Sequence, residues 1–97
     1  MQGLGYALTE DMAIEDGSPQ SMLFADYLIP NSLDFPDVRV AILESGEGKG
    51  PLGARGIGEP SIGNAAATVA SAIQDAIGIR PSRLPMTPER VLGVRFR

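Results

Sequence analysis

The sequence predicts an α+β fold in which an Ala-rich helix packs near a small sheet. Three features of the chain support it. Residues 64–77 are dense in Ala and end at Gly78, the pattern of a helix closed by a glycine C-cap. Residues 37–44 alternate Val38, Val40 and Ile42 with Arg39, Ala41 and Leu43, the period of a strand rich in branched side chains. Between the two lie residues 45–58, with six glycines, one proline and no periodicity.

The elements follow in chain order. Leu4, Leu8 and Met12 recur every four residues with Ala7 beside them, which predicts a helix over residues 3–14. No Ser, Thr, Asp or Asn precedes it as an N-cap, and Gly3 and Gly5 each cost about 1 kcal/mol relative to Ala in a free helix. Such a start is expected of a chain that begins inside a domain. Asp16-Gly17-Ser18-Pro19 is a turn. Residues 22–29 form an apolar run broken by Asp26 and stopped by Pro30, expected to be extended, and residues 31–36 are irregular. The 37–44 strand carries apolar groups on both faces toward its end, so a cover on both sides is expected. On the Ala-rich helix, Ala66, Val69, Ala70, Ile73, Ala76 and Ile77 make the expected buried face, small enough for close approach by a neighbour. Thr87-Pro88-Glu89 joins an N-cap, an N1 proline and an early acid, and starts a short helix through Val91 or Leu92. Arg95 and Arg97 read as a frayed, charged end.

Composition narrows the chemistry. The 97 residues allow one domain at most and little core. Eight Lys plus Arg stand against twelve Asp plus Glu, a net charge of −4 without a basic cluster, which argues against nucleic acid or an anionic membrane as partner. The absence of Cys excludes disulfides, Cys-based zinc sites, iron–sulfur ligation and a thiol nucleophile. The absence of His removes the imidazole base and the commonest metal ligand. Proton chemistry therefore falls to a carboxylate, a Lys or a Tyr. No apolar run approaches the roughly 20 residues that span a bilayer. No secretory signal is visible at the N-terminus, so a cytoplasmic location is the default expectation. Twelve Gly and eight Pro, with three Phe, two Tyr and no Trp, leave few core-filling groups, and robust folding of the chain by itself is not expected.

The most informative stretch is Gly53-Ala54-Arg55-Gly56-Ile57-Gly58-Glu59-Pro60, ahead of the Ala-rich helix. A long linker is one reading of residues 45–58, and a binding or active-site loop is the other. Glycines permit positive φ and close approach of backbone amides to a ligand, and Arg55 adds a positive charge. Nucleotide signatures do not fit. The order here is GxxGxG instead of GxGxxG, and a Walker A loop would need Ser or Thr after Lys49 and a glycine at position 43, where Gly50 and Leu43 stand. Glu59, between Gly58 and Pro60, is either an N-terminal acid complementing the helix dipole or a carboxylate base whose pKa burial would raise. Tyr6 and Tyr27 read as packing residues, and Glu10-Asp11 and Glu15-Asp16 as solvated faces without further metal ligands.

Residues 53–60 resemble the GxKGxGEP signature of the molybdopterin-binding catalytic subunit of the xanthine dehydrogenase and aldehyde oxidase family. Three further stretches agree in order. Gln2-Gly3-Leu4-Gly5-Tyr6-Ala7-Leu8-Thr9-Glu10 resembles the family's QGxGxAL-E segment, and Asp26-Tyr27-Leu28-Ile29-Pro30 its DYxxP segment. Ala72-Ile73-Gln74-Asp75-Ala76-Ile77-Gly78-Ile79 and Leu84-Pro85-Met86-Thr87-Pro88-Glu89-Arg90-Val91 resemble its AIxDAxG and LPxTPExV stretch. The likeness spans nearly the whole chain.

The resemblance implies that residues 1–97 are the C-terminal portion of a molybdenum-cofactor-binding domain, an incomplete domain cut from or encoded apart from a longer subunit. It implies molybdopterin as cofactor, and iron–sulfur clusters and FAD on partner domains or subunits. Glu59 takes the position of the family's general base. Gln2 matches the residue that hydrogen-bonds the pterin, and Arg55, Gly56, Ile57 and Gly58 fall in the loop that lies against the cofactor. Arg55 stands where the family has Lys, which keeps the charge and replaces a point donor with a planar fork. The expected function is a share in a molybdenum hydroxylase oxidising an aldehyde or a purine-like N-heterocycle with water as oxygen source, with the isolated chain inactive. The competing readings are a non-catalytic module that docks onto a larger oxidoreductase partner, and an anion-binding loop protein. A Glu59→Gln change separates the first two, and Arg55→Ala tests the third.

Overall fold

The computed structural model describes residues 1–95, so Arg97 lies outside the described residues. Helix α1 spans Gln2–Leu8. It stops well short of residue 14 because the N–H groups of Thr9 and Glu10 both turn in to the Gly5 carbonyl, at 2.8 and 2.9 Å. The Thr9 hydroxyl then donates to the Leu28 carbonyl at 2.7 Å, tying the end of the helix to the chain that returns beneath it. Met12 is left outside the helix and exposed. Met1 offers no side-chain cap, as its chemistry requires.

The Asp16-Gly17 turn closes a hairpin that periodicity does not reveal. Strands β1 (Ile14–Glu15) and β2 (Ser18–Pro19) pair antiparallel, with Ile14 opposite Pro19 and Glu15 opposite Ser18. Asp16 and Gly17 have φ of 48° and 78°, the left-handed pair of a two-residue hairpin turn. Residues 22–29 are not extended. Asp26 and Tyr27 both donate to the Leu23 carbonyl at 2.9 Å, so the apolar run coils into a turn. Ser32–Asp34 is a single 3₁₀ turn, capped reciprocally by the Asn31 and Asp34 side chains.

The strand expected at residues 37–44 is not formed. Among the described residues no backbone–backbone hydrogen bond involves these positions, and Val40 and Leu43 are 80% and 95% exposed. A strand exists only against a ladder partner, and among the described residues the sole sheet is the β1–β2 hairpin.

Helix α2 runs Ala65–Ile77, one residue later than expected, because a 3₁₀ turn over Pro60–Asn64 leads into it. Gly78 ends it with φ 78° and donates to the Gln74 carbonyl at 2.7 Å. Arg80 then reaches back to Ser71 Oγ at 2.8 Å and Gln74 Oε1 at 3.3 Å. Helix α3, Pro88–Arg95, starts where Thr87 and Pro88 predict and continues beyond Leu92.

The core is small. Ala7, Ala70 and Met86 are buried, with Leu8, Ala66, Val69, Ile73 and Val91 packed around them. Of the expected α2 face, Ala70 is buried, Ala66, Val69, Ile73 and Ile77 are half-buried, and Ala76 is exposed. The Met86 N–H donates to the Ala7 carbonyl at 2.7 Å, and Arg90 pairs with Asp11 at 2.6 Å, so the segment after α2 is laced to α1. The accessible surface is 8175 Å², against about 5300 Å² for a compact protein of this mass. The radius of gyration, 17.1 Å, likewise exceeds the roughly 13 Å of a compact chain of this length.

Candidate functional site

Two tight backbone approaches shape the loop that leads to Glu59. The Gly50 N–H donates to the Ala54 carbonyl at 3.0 Å, and Gly53 donates back to Gly50 at 3.0 Å. A Cβ on Gly48 would fall 1.8 Å from the Gly53 carbonyl oxygen, so no side chain fits there. The turn at Pro51–Gly53 puts Leu52 and Gly53 at φ of 57° and 76°. Gly56 and Gly58 differ from these. Neither has a positive φ, and nothing lies within 4 Å of a Cβ placed on either. Within this chain, glycine at 56 and 58 serves to leave the backbone bare.

Glu59 is the N-cap of the 3₁₀ turn and does not cap it with its side chain. Its carbonyl accepts from the Ile62 N–H at 2.9 Å, and Pro60 fills the first position of the turn. The carboxylate is exposed, as are Arg55 and Ile57. Ser61 Oγ donates to the Gly58 carbonyl at 3.1 Å and fixes the loop one residue before Glu59.

Helix α1 brings the N-terminus to this loop. Tyr6 donates its hydroxyl to the Ile62 carbonyl at 2.6 Å. Gly3 lies against α2 so closely that a Cβ there would sit 2.5 Å from that of Ala65. As a result Gln2 and Gly58, 56 positions apart, line one cleft of about 320 Å³ with Met1, Gly3, Leu4, Ser61, Ile62 and Ala65. Among the described residues the Gln2 amide has no hydrogen-bond partner. Arg55, Gly56, Ile57 and Glu59 do not line this cleft and stand along the exposed loop beside it.

No family model matches the chain. Curated relatives match it nearly end to end. It is 43% identical over 97 residues to the 6-hydroxypseudooxynicotine dehydrogenase complex subunit gamma of Paenarthrobacter nicotinovorans, covering 96% of this chain. It is 34% identical over 91 residues to a putative xanthine dehydrogenase molybdenum-binding subunit of Escherichia coli strain K12, covering 92% of this chain. With an aldehyde oxidoreductase molybdenum-binding subunit of the same organism it shares 32% identity over 93 residues, 93% of this chain. The chain is homologous to part of the molybdenum-binding subunits of xanthine dehydrogenase and aldehyde oxidoreductase. It spans only 12–13% of the length of these relatives.

The groups around the cleft are of a kind that a molybdenum cofactor's pterin can use. An unpartnered amide at Gln2 offers both donor and acceptor. At Gly58, which lines the cleft, nothing among the described residues lies within 4 Å of where a Cβ would stand, so the backbone there is open to a ligand. The residues that the sequence did not single out here are Gly3, Tyr6 and Ser61. Gly3 and Tyr6 sit inside the Gln2–Glu10 segment but act through contacts to residues 62 and 65, which no local pattern reveals. Ser61, next after Pro60, carries a weak signal, the habit of serine to bond a nearby carbonyl.

Tyr27 and Glu10 form a second polar contact on the other side of α1. The Tyr27 hydroxyl donates to Glu10 Oε2 at 2.7 Å. That hydrogen bond, then desolvation and the carboxylate charge, raise the Tyr27 pKa above its ordinary 10.0. Neither residue lines the cleft of Gln2 and Gly58.

Proposed function

We propose that this chain is the C-terminal portion of an α+β molybdenum-cofactor-binding domain and contributes the general base of a molybdenum hydroxylase. The observation that carries the reading is the shared cleft of Gln2 and Gly58, beside a loop that ends in Glu59, in a homologue of molybdenum-binding subunits. Gln2 would hydrogen-bond the pterin through its amide. Gly56 and Gly58 would let the cofactor approach the backbone, with Ile57 between them as an apolar contact. Arg55 would place a positive fork beside anionic groups of the cofactor. When bound, the cofactor supplies the two-electron oxidant for an electron-poor carbon, with water as the oxygen source. Glu59 takes up a proton at its carboxylate during that oxidation. Enclosure by the rest of the domain would keep bulk water away from that carboxylate.

The substrate class is an aldehyde or a purine-like N-heterocycle. The electrons leave through iron–sulfur and flavin domains or subunits, and the assembly is cytoplasmic. The chain alone is inactive, since most of the cofactor pocket lies elsewhere in the subunit.

The test is Glu59→Gln in the assembled enzyme. Turnover should fall by at least about a hundredfold, the lower range for loss of a general base, while molybdenum content and assembly stay unchanged. Unchanged turnover would sink the assignment. The exposed apolar surface also suits a second reading, a non-catalytic module that docks onto a larger oxidoreductase. On that reading Glu59→Gln alters neither turnover nor assembly.

A further inference from the structure

We infer that Tyr6 is a positioning residue for the proposed reaction, holding the turn that carries Glu59 in fixed relation to the Gln2 amide. The Glu59 side chain is exposed and does not cap its own turn, so within this chain its aim comes from the backbone beneath it. That backbone is gripped at two successive carbonyls. Ser61 Oγ donates to the Gly58 carbonyl at 3.1 Å, and the Ile62 N–H donates to the Glu59 carbonyl at 2.9 Å. Ile62 is held in turn through its own carbonyl, which accepts from the Tyr6 hydroxyl at 2.6 Å and from the Ala65 N–H at the entry to α2. Two hydrogen bonds in series therefore run from Tyr6 through Ile62 to the backbone of Glu59.

Tyr6 and Gln2 stand four residues apart on α1, so their side chains share one face of that helix. That face carries an amide lining the cleft and a hydroxyl bonded to the opposite wall, because Ile62 and Ser61 line the same cleft. The Tyr6–Ile62 bond is partly buried and joins residues 56 positions apart, whereas the Ser61 bond is exposed and local. Packing of Gly3 on Ala65 sets how closely α1 and α2 approach. A hydrogen bond is directional as well, so the one from Tyr6 sets the register between α1 and the Glu59 turn. A base loses much of its effect when it misses the reacting proton by about an ångström. Loss of that register should therefore lower the rate and leave substrate affinity alone.

The inference rests on Glu59 being the base, and the test separates the two. Tyr6→Phe keeps the ring and removes the donor. In the assembled enzyme kcat should fall about tenfold, with KM within about twofold and molybdenum per mole unchanged. In a Glu59→Gln background the same change should lower turnover no further, because a residue acting through Glu59 has nothing left to position. Apart from activity, the Ile62 amide of the assembled Tyr6→Phe enzyme should exchange at least about fivefold faster. Tyr27→Phe is the control: it removes a hydroxyl bond of 2.7 Å to Glu10, away from the cleft, and should leave kcat unchanged. Full kcat in Tyr6→Phe while Glu59→Gln is inactive would overturn the inference and leave the base assignment standing. An Ile62 amide that exchanges no faster, an equal loss in Tyr27→Phe, or a further loss in the Glu59→Gln background would overturn it too. Full turnover in Glu59→Gln would remove both readings. Should Tyr6→Phe not assemble, Ser61→Ala decides, since it loosens the same turn at the Gly58 carbonyl from an exposed position. Its kcat should fall and be restored in Ser61→Thr, and full kcat in Ser61→Ala would overturn the inference.

Discussion

Gly3 and Ala65 meet where α1 crosses the start of α2, and the space between them is too small for one more methyl group. The Gln2–Gly58 cleft depends on that contact, because Gln2 is one residue from Gly3 and Gly58 lies on the loop that leads into α2.

Gly3→Ala should therefore destabilise the assembled protein. Overpacking costs about 1–3 kcal/mol, and the better helix propensity of Ala returns up to about 1 kcal/mol, so a net loss is expected. Gly63→Ala is the control, since nothing lies within 4 Å of its Cβ position. Denaturant midpoints of the two variants decide it, and equal midpoints would refute the crowding.

Tyr6→Phe removes the 2.6 Å hydrogen bond to the Ile62 carbonyl and keeps the ring. A cost of about 0.5–1.5 kcal/mol is expected. It should appear in hydrogen exchange as faster opening at α1 and the 3₁₀ turn, with the middle of α2 unaffected.

Gly56→Ala separates the bare-backbone reading from an intrinsic need for glycine. The free chain should be unchanged, because Gly56 has no positive φ and no neighbour within 4 Å of its Cβ. In the assembled enzyme, molybdenum per mole should fall. An unchanged metal content would show that nothing approaches the loop there.

The Tyr27 hydroxyl should ionise above pH 10 in an ultraviolet titration, and Glu10→Gln should bring its midpoint down, since the hydrogen bond to Glu10 is the largest cause of the shift. The raised folded-state pKa means the contact stabilises the fold fully below the unfolded value near 10 and ceases to do so as pH rises through the folded value. A midpoint unmoved by Glu10→Gln would remove Glu10 as the cause.

Asp11→Asn should cost little, about 1 kcal/mol or less, because the Asp11–Arg90 pair is partly exposed and screened. Arg90→Met should cost more, since Arg90 also donates to the Pro85 carbonyl at 3.0 Å. Thermal midpoints of the two variants test the order.

What the sequence made legible was whatever its own neighbours enforce. Helix α2 follows from consecutive Ala and from Gly78, and the start of α3 from Thr87 and Pro88, because caps and propensities act within a turn or two. Residues 37–44 have a strand's alternation and form no strand here, because pairing needs a second edge. The β1–β2 hairpin was missed for the opposite reason: two-residue strands have no period, although Asp16-Gly17 carries the turn. Residues 53–60 point to the proposed site loop by resemblance alone. That Gln2 would sit beside Gly58 is invisible to spacing, since it depends on Gly3, Tyr6 and the way α1 crosses α2.

The large accessible surface has a calorimetric consequence. An unfolded chain of this mass exposes about 14,800 Å², so the free chain buries only about 45% of its surface on folding, against about 60% or more in a compact domain. Denaturant sensitivity and the heat-capacity step both scale with newly exposed area. By itself the chain should melt over a broad range with a shallow urea slope, and a sharp transition should emerge only when the surrounding subunit is present to melt with it.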